Sequence, residues 1–252
     1  MAEELWTLYE SKNYDELLTK VDRILLKNSR TAYAWYYNGE ALHKMSRYKD
    51  AVSSLEIAIE LDPKNYKAHI SIGEVLRKME RYDEALDAVN KAIELKPTDE
   101  WGYGVKSKIF YDLERYDEAL VEVNKALEID PTDLTGWSVK IDILNDLKQH
   151  DEALANINKF LEIKPKNEWA FVIKTDILRR MKHYSEALIL ANKAIELDYG
   201  LNWLKIKTYN LWNMKLYDEA LTTIKEILEL NPIDIWGLKN KTAIESEQTR
   251  HK

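Results

Sequence analysis

The residues that most often carry out catalysis or bind metals are dispersed along the chain. The five histidines are His43, His69, His150, His183 and His251, and none has the HExxH spacing that places two zinc ligands on one helix face. Aspartate and glutamate total 44, but they follow the polar side of amphipathic segments. Neither a metal site nor paired-carboxylate acid–base catalysis is therefore indicated.

Phosphate binding and thiol chemistry find no support in the sequence either. The segment Trp101-Gly102-Tyr103-Gly104 has closely spaced glycines, yet it lacks the rest of a nucleotide-binding fingerprint. The chain contains no cysteine, which excludes disulfides and thiolate-bound metals. We expect a protein without enzymatic activity and without a cofactor.

The net charge and the hydropathy of the chain indicate which partners and which cellular compartment to expect. The net charge of −7 argues against nucleic-acid binding. The first residues, MAEELW, have neither the basic region nor the apolar run of a signal peptide, and no stretch is apolar enough to span a membrane. These features predict a cytoplasmic protein that binds neither nucleic acid nor membrane.

One stretch, Tyr82 to Pro97, recurs along nearly the whole chain. Its echoes begin at Tyr14, Tyr48, Tyr116, His150, Tyr184 and Tyr217, in steps of 34 residues except for a last step of 33. Apolar residues within each echo recur at helical spacing, and all five prolines stand in the same position, directly after this helix. A fixed period of this length is typical of a stacked repeat architecture.

A second helical segment separates successive echoes, so each repeat is predicted to be a hairpin of helix A, a tight turn and helix B. Candidate N-cap residues precede helix A, namely Asn65, Asp99, Asp133, Asn167 and Asp234. The few apolar side chains of one hairpin cannot offset the entropy lost on ordering it. Neighbouring hairpins must therefore share their apolar faces.

The repeat resembles the tetratricopeptide repeat. If repeat positions are counted from Ala32, Tyr66, Glu100, Leu134 and Glu168, the family's tryptophan position holds Trp35, His69, Tyr103, Trp137 and Phe171. His69 is thus expected to pack as its aromatic counterparts do. Glycine stands at position 8 only in Gly39 and Gly73, and alanine occupies position 20 from Ala51 to Ala220. The resemblance covers nearly the whole chain.

The resemblance implies an all-α fold, a right-handed superhelical solenoid of seven helix-turn-helix repeats with a C-terminal capping helix. We expect a single domain over residues 1–252. Its repeats would span about 1–31, 32–65, 66–99, 100–133, 134–167, 168–200 and 201–234, and the capping helix 235–247.

Two local departures from the pattern lead to structural expectations. Ile141 places a branched side chain at position 8, where helices A and B approach most closely, so that hairpin is expected to widen. The segment from Asp198 to Asn202 lacks the proline and is one residue short, which favours a change in superhelical pitch there. For the same reason Trp203 fits either position 3 or position 4.

In the family that this chain resembles, helices A line a concave groove through positions 2, 5, 6, 9, 12 and 13. Carried over to this sequence, the positions give the candidate partner-binding residues Tyr33, Tyr36, Tyr37, Glu40, Lys67, Ile70, Glu74, Arg77, Trp101, Val105, Lys108, Tyr111, Val139, Asp142, Trp169, Val172, Ile173, Asp176, Lys205, Ile206, Tyr209 and Trp212. The alternative for Trp101, Trp169 and Trp236 is that they pack against the preceding helix B.

Exposed aromatic, aliphatic and arginine side chains are typical of protein interfaces. The leading hypothesis is a scaffold that binds a protein or peptide segment in this groove, through apolar and aromatic contacts oriented by Lys and Arg. Two alternatives stay open at this point: self-association into a homo-oligomer, and a role as a regulatory subunit of a larger enzyme complex.

Overall fold

The computed structural model describes residues 2–250, and within this range it contains fifteen α-helices and no β-strand. The helices are α1 (Ala2–Glu10), α2 (Tyr14–Lys27), α3 (Ala32–Lys44), α4 (Tyr48–Leu61), α5 (Tyr66–Lys78), α6 (Tyr82–Leu95), α7 (Glu100–Asp112), α8 (Tyr116–Ile129), α9 (Leu134–Asp146), α10 (His150–Ile163), α11 (Glu168–Arg180), α12 (Tyr184–Glu196), α13 (Asn202–Asn213), α14 (Tyr217–Leu230) and α15 (Ile235–Arg250). Odd-numbered helices up to α13 are the predicted helices A, and even-numbered ones are helices B. The all-α fold class is confirmed.

Each hairpin turn is closed by one residue in the left-handed region of backbone conformation. In the second repeat this residue is Ser46, with φ of 60°, and the amide of Arg47 donates to the carbonyl of Leu42 at 2.8 Å. This bond from the residue after the turn back into the last helical turn is the Schellman arrangement. It recurs in every repeat with a non-glycine residue, such as Glu80 or Lys182, which explains how so short a turn reverses the chain.

The chain also divides into two compact units, the first ending at Ile143 and the second beginning at Leu144. The main core of the first unit combines Leu55 of α4, Val75 of α5 and Val89 of α6 with residues from their neighbours. In the second unit Phe171 of α11 packs with Ala191 of α12 and Trp203 of α13. Each cluster draws on more than one hairpin, as the stacking argument requires.

In four repeats the side chain at position 4 bonds to a carbonyl at the end of the preceding repeat. Trp35 Nε1 donates to the carbonyl of Ser29 at 2.7 Å, and Trp137 Nε1 donates to that of Pro131 at 2.9 Å. Tyr103 makes the same contact with Pro97 through its hydroxyl. His69 Nε2 lies 3.1 Å from the carbonyl of Pro63, so its predicted packing role is confirmed.

Position 8 is the point of closest approach within a hairpin. A methyl group added at Gly39 would lie 2.5 Å from Leu55 Cγ and 3.2 Å from the carbonyl oxygen of Ala51. Ser107 also fits there, because its hydroxyl donates to the carbonyl of Ala119 on helix B at 2.8 Å. Ile141 is buried, and the widening expected of its hairpin remains a prediction.

The exit from the sixth repeat has its own geometry. Asp198 has φ of 58° and Gly200 has φ of 94°, whereas the residue that ends each helix B before a proline has φ between −124° and −142°. Tyr199 stands in the proline position. Its hydroxyl donates to the carbonyl of Lys166 at 2.6 Å, and its ring contacts that of Phe171 edge-to-face. Lys215, with φ of 62°, closes the next hairpin turn as Ser46 does at position 15 of its repeat. This places Trp203, which is fully buried, at position 3.

The last helix, α15, packs its buried Ile244 against the core formed by α13 and α14. It ends at Arg250, three residues beyond the predicted end of the capping helix. Within residues 2–250, no helix is both long and apolar enough to cross a membrane.

Candidate partner-binding surface

Four helices A of the first unit build a pocket on the face that carries repeat positions 2, 5, 6, 9, 12 and 13, which we call the inner face. We call this pocket the acidic aromatic pocket, and its volume is about 370 Å³. Its lining residues are Trp6, Tyr9, Glu10, Tyr36, Tyr37, Glu40, Tyr66, Lys67, Asp99, Glu100 and Trp101. Six aromatic rings and four carboxylates face one ammonium group, so the pocket carries a marked excess of negative charge.

The tyrosines of the pocket support one another. Tyr36 and Tyr37 meet edge-to-face with their ring centres 5.2 Å apart, and Tyr9 lies 6.4 Å from Tyr37. The ammonium of Lys44 sits 5.9 Å from the centre of the Tyr9 ring. Burial, with the nearby carboxylate of Glu40, raises the pKa of Tyr9 and of Tyr36 well above their ordinary value. Both hydroxyls therefore stay neutral and can donate hydrogen bonds.

Glu40 is the most unusual group of the pocket. Its side chain is only 3% exposed, and its Oε1 is buried and accepts no hydrogen bond from any described residue. Burial raises the pKa of Glu40, and the carboxylate of Glu74 adds to the rise. Hydrogen bonds from the hydroxyls of Ser71 and Tyr9 to this carboxylate, and the charge of Lys44, lower it again in part. A buried carboxylate oxygen without a donor is costly, and a ligand that supplies one would remove that cost.

A second carboxylate of the pocket, that of Asp99, does not cap the helix that follows it. Asn65, Asp133 and Asn167 cap their helices by accepting from an amide in the first turn, and Asp234 does so for α15. Asp99 makes no such bond to α7, so the prediction that it caps its helix is wrong. Its carboxylate lines the pocket instead, where Asp99 Oδ1 is buried and has no hydrogen-bond partner among the described residues.

Further along the inner face of the first unit, charges are paired between successive helices A. Arg77 Nη1 of α5 donates to Asp112 Oδ2 of α7 at 2.5 Å. Lys108 Nζ lies 4.0 Å from Glu74 Oε1, and burial lowers the pKa of Lys108 although that carboxylate opposes the effect. Half-buried Tyr111 and Val139 and exposed Asp142 also belong to this unit.

Two predicted groove residues of the first unit are not on its surface. Ile70 is 1% exposed and Val105 is 0% exposed, and both belong to the main core. The larger rings of Tyr36 and Trp101 pack against that core. The expectation that Ile70 and Val105 line an open groove is therefore wrong: the short aliphatic side chains are covered, and the long aromatic ones remain at the surface.

Tyr33 faces a different cavity, of about 730 Å³, beside α2. Lys20, Arg23, Lys27 and Arg30 contribute to its lining. Arg23, Lys27 and Arg30 are exposed, and Lys20 is paired with Glu4. Tyr33 thus lies outside the acidic aromatic pocket, and its place in the predicted groove stays a prediction.

In the second unit, the inner-face residues of α11 are exposed to different degrees. Trp169 meets Phe160 of α10 edge-to-face at 5.6 Å, so it packs against the preceding helix B, as the alternative expectation held. Val172 is 43% exposed and Ile173 is half-buried. Asp176 forms an ion pair with Arg180 at 2.7 Å.

The cationic side chains of this second inner face already have partners. The guanidinium carbon of Arg179 lies 4.1 Å from the centre of the Tyr209 ring. Lys205 binds Asp234 at 2.7 Å, which holds the pKa of that carboxyl below its usual range, and its ammonium lies 5.8 Å from the Trp236 ring. Trp212 Nε1 donates to Glu247 of α15. Half-buried Ile206 completes the set.

Six of the eleven residues that line the acidic aromatic pocket were not among the predicted residues. Trp6, Tyr9 and Glu10 come from α1, and Tyr66, Asp99 and Glu100 from the starts of later helices. The signal for the first three was present: when the 34-residue step is carried back to the first repeat, they fall at positions 9, 12 and 13.

Comparison with known sequences gives a consistent result. A family model described as tetratricopeptide repeat matches residues 38–100. A second model with the same description matches residues 102–133 and 142–167. No curated protein matches the sequence.

Several solved structures share the fold at low sequence identity. A thermophilic tetratricopeptide-repeat protein of Thermus thermophilus has a TM-score of 0.60 and 21% identity, over 70% of this chain and 96% of that one. A tetratricopeptide-repeat protein of Parabacteroides merdae has a TM-score of 0.61 and 12% identity, over 96% of both chains. A structure of the APC/C hetero-tetramer Cut9-Hcn1 gives 0.63 and 16%, over 95% of this chain and 48% of that one.

Proposed function

This chain belongs to the tetratricopeptide-repeat family, and on that premise we propose that it is a non-enzymatic scaffold that binds a segment of a partner protein along the inner face of its helices A. Repeats of this family generally mediate protein–protein interaction. The observation that carries the proposal is the acidic aromatic pocket, which is lined by Tyr9, Tyr36, Tyr37 and Trp101. One carboxylate oxygen of Glu40 and one of Asp99 in this pocket have no hydrogen-bond partner among the described residues.

The composition of the inner face supports a protein partner. Tyrosine, tryptophan and arginine dominate the energetic centres of protein interfaces. The first unit presents Trp6, which is 53% exposed, beside the half-buried Tyr37. The second unit presents the exposed Val172 on the same face of its helix A. Each unit thus offers apolar contact area that water covers poorly.

The test compares two glutamate substitutions on the inner face of helices A with two glutamate substitutions at exposed positions of helices B. The inner variant carries Tyr37→Glu and Val172→Glu. The control carries Val121→Glu and Ile189→Glu, which change residues of helices B that are 53% and 70% exposed. Tagged wild-type protein and both variants are incubated with lysate of the native cell, and mass spectrometry quantifies the proteins that each retains.

We expect one or more proteins to be retained by the wild type and the control and lost, by at least tenfold, from the inner variant. Equal retention by the inner variant and the control would place the binding surface elsewhere. Light scattering of the purified chain over a concentration series shows whether the retained protein is a second copy of the chain itself.

A further inference from the structure

Resting on the proposed function, we propose that the acidic aromatic pocket receives an arginine side chain of the partner protein. The guanidinium would lie among the tyrosine and tryptophan rings and donate hydrogen bonds to the carboxylates of Glu40 and Asp99. This goes beyond a general binding surface because it names the group that the first unit recognises and the residues that recognise it.

The charge of the pocket selects a cation. Glu10, Glu40, Asp99 and Glu100 line it against the single ammonium of Lys67. A partner anion would meet this excess of negative charge in a partly desolvated site, where like charges repel strongly. An uncharged apolar side chain would cover the carboxylates without supplying the donors that their buried oxygens lack.

The unsatisfied acceptors require more than one donor. Tyr9 and Ser71 hydrogen-bond to the carboxylate of Glu40, and Tyr66 to that of Asp99, yet Glu40 Oε1 and Asp99 Oδ1 are both buried without a hydrogen-bond partner among residues 2–250. Glu40 lies in α3, and Asp99 directly precedes α7. An ammonium offers three donors around one point. A guanidinium offers five in a planar fork, and it is more weakly hydrated, so transfer from water is less unfavourable.

The aromatic lining favours the same group. The ring centre of Tyr37 lies 6.4 Å from that of Tyr9 and 5.2 Å from that of Tyr36. The faces of such rings attract cations, Arg more often than Lys. The molecule uses this contact elsewhere, since Arg179 lies over the ring of Tyr209 in the second unit. The pocket volume of about 370 Å³ leaves room for one side chain of this size together with its entry path.

In the second unit, comparable carboxylates already accept hydrogen bonds from side chains of the protein itself. Its inner-face carboxylate Asp234 accepts from Lys205, and Glu247 accepts from Trp212. The chain itself supplies those donors, so this part of the second unit makes no comparable demand on a ligand. The proposal therefore assigns arginine recognition to the first unit alone.

The experiment titrates the ¹⁵N-labelled chain of 252 residues with three capped tripeptides, acetyl-Gly-Arg-Gly-amide and its lysine and citrulline counterparts. Citrulline keeps the shape of arginine and removes its charge. The readout is the set of indole N–H signals of the eight tryptophans, assigned by single Trp→Phe variants. Trp6 and Trp101 report on the pocket, and Trp212, bound to Glu247, serves as an internal reference.

The arginine peptide is expected to shift the Trp6 and Trp101 signals saturably and to leave Trp212 unmoved. Citrulline should bind at least tenfold more weakly, and lysine measurably more weakly. Glu40→Gln should weaken arginine binding by at least tenfold, while Glu60→Gln, the same change at an exposed residue of α4, should have no effect. An unchanged Trp212 signal and an unchanged circular dichroism spectrum verify that Glu40→Gln folds.

The inference is overturned if arginine and citrulline bind equally, if lysine equals arginine, if Trp6 and Trp101 do not shift, or if Glu40→Gln binds as tightly as wild type. These results leave the proposed function standing whenever a partner is still lost from the inner variant of the capture experiment. Conversely, retention of every partner by that variant refutes the proposed function even when the tripeptide binds.

Discussion

Asn210 is a polar residue at a core position that is apolar in the other repeats. It stands at repeat position 10, where the other repeats have Ala41, Val75, Ile109, Ile143 and Ile177, all essentially unexposed. The side chain of Asn210 is 0% exposed, and neither its Oδ1 nor its Nδ2 has a hydrogen-bond partner among the described residues. An apolar core position therefore holds an amide with a donor and an acceptor both unsatisfied.

The free energy at stake follows from these two atoms. Each buried polar group without a partner costs about 1–3 kcal/mol, so the pair costs at least about 2 kcal/mol at the low end of that range. Valine occupies this position in α5, and it adds the favourable burial of an apolar side chain, about 1.5 kcal/mol. Residual crowding offsets part of that gain. We expect Asn210→Val to raise the free energy of unfolding by about 2 kcal/mol.

Urea titration followed by circular dichroism measures the total change, and hydrogen exchange of peptides from α13 and α14 locates it. A repeat array need not unfold in one step, so the local measurement is the more direct. The matched control is Asn213→Val on the exposed side of the same helix, where loss of the bond from Nδ2 to the Tyr209 carbonyl should cost a few tenths of a kcal/mol.

The two substitutions should therefore have opposite signs. If Asn210→Val lowers stability by as much as Asn213→Val or more, the reasoning is refuted, because the amide must then gain more in the folded protein than an apolar side chain would. Faster exchange in α13 and α14 of the Asn210 variant would lead to the same conclusion.

Three further predictions concern the repeat and its pocket. Gly39→Ala should lower stability by about 1–3 kcal/mol, because the new carbon would lie 2.5 Å from Leu55 Cγ. The control Gly104→Ala meets nothing within 4 Å and should raise stability by up to about 1 kcal/mol. Urea titration of the two variants measures the difference. Asp133→Ala removes two bonds to the first turn of α9 and should cost about 1 kcal/mol, while Asp99→Ala, which removes no cap, should change the melting temperature much less. Glu40→Gln should gain stability relative to wild type as the pH rises above about 4.5, the ordinary pKa of glutamate, whereas Glu60→Gln should give no such pH dependence in thermal melts.

The sign of the pH prediction follows from the raised pKa of Glu40. Burial favours the protonated form in the folded state, and Glu74 on α5 adds to this, while Lys44 on α3 and the hydroxyls of Tyr9 and Ser71 oppose it. The folded protein therefore binds more protons than the unfolded chain between the ordinary and the raised pKa. Stability present below the ordinary pKa is lost as the pH rises through that window, and glutamine, which cannot ionise, avoids the loss.

Much of this architecture could be predicted because it depends on contacts that each repeat makes for itself. The 34-residue step fixes which residues face the neighbouring hairpin, and the aromatic position binds a carbonyl six residues earlier whether it holds Trp35, His69 or Tyr103. Such local bonds depend only on the residue type and its place in the repeat. They therefore survive wide variation elsewhere in the sequence.

The pocket could not be predicted in the same way because it depends on differences between repeats. Position alone put Ile70 and Val105 in the groove, but their exposure is decided by the size of the side chains on adjacent helices, and the rings of Tyr36 and Trp101 pack over their core. Asp99 has the sequence of a helix cap, yet its carboxylate lies in the pocket lined by Tyr66. Only the packed structure shows which of two competing contacts a side chain makes.

The contrast between Glu40 and Asn210 shows how an unsatisfied buried group can be interpreted. Both have a buried polar atom without a partner, and both cost stability. Glu40 lines a pocket open to a ligand, so an incoming donor can recover the cost as binding energy, and glutamine should stabilise the protein while weakening recognition of arginine. Asn210 lies in the core with no exposed surface, so valine should stabilise the protein without affecting the tripeptide titration. Both substitutions should therefore raise stability, but only Glu40→Gln should weaken binding of the arginine peptide. That difference separates a group that binds a ligand from a defect in core packing.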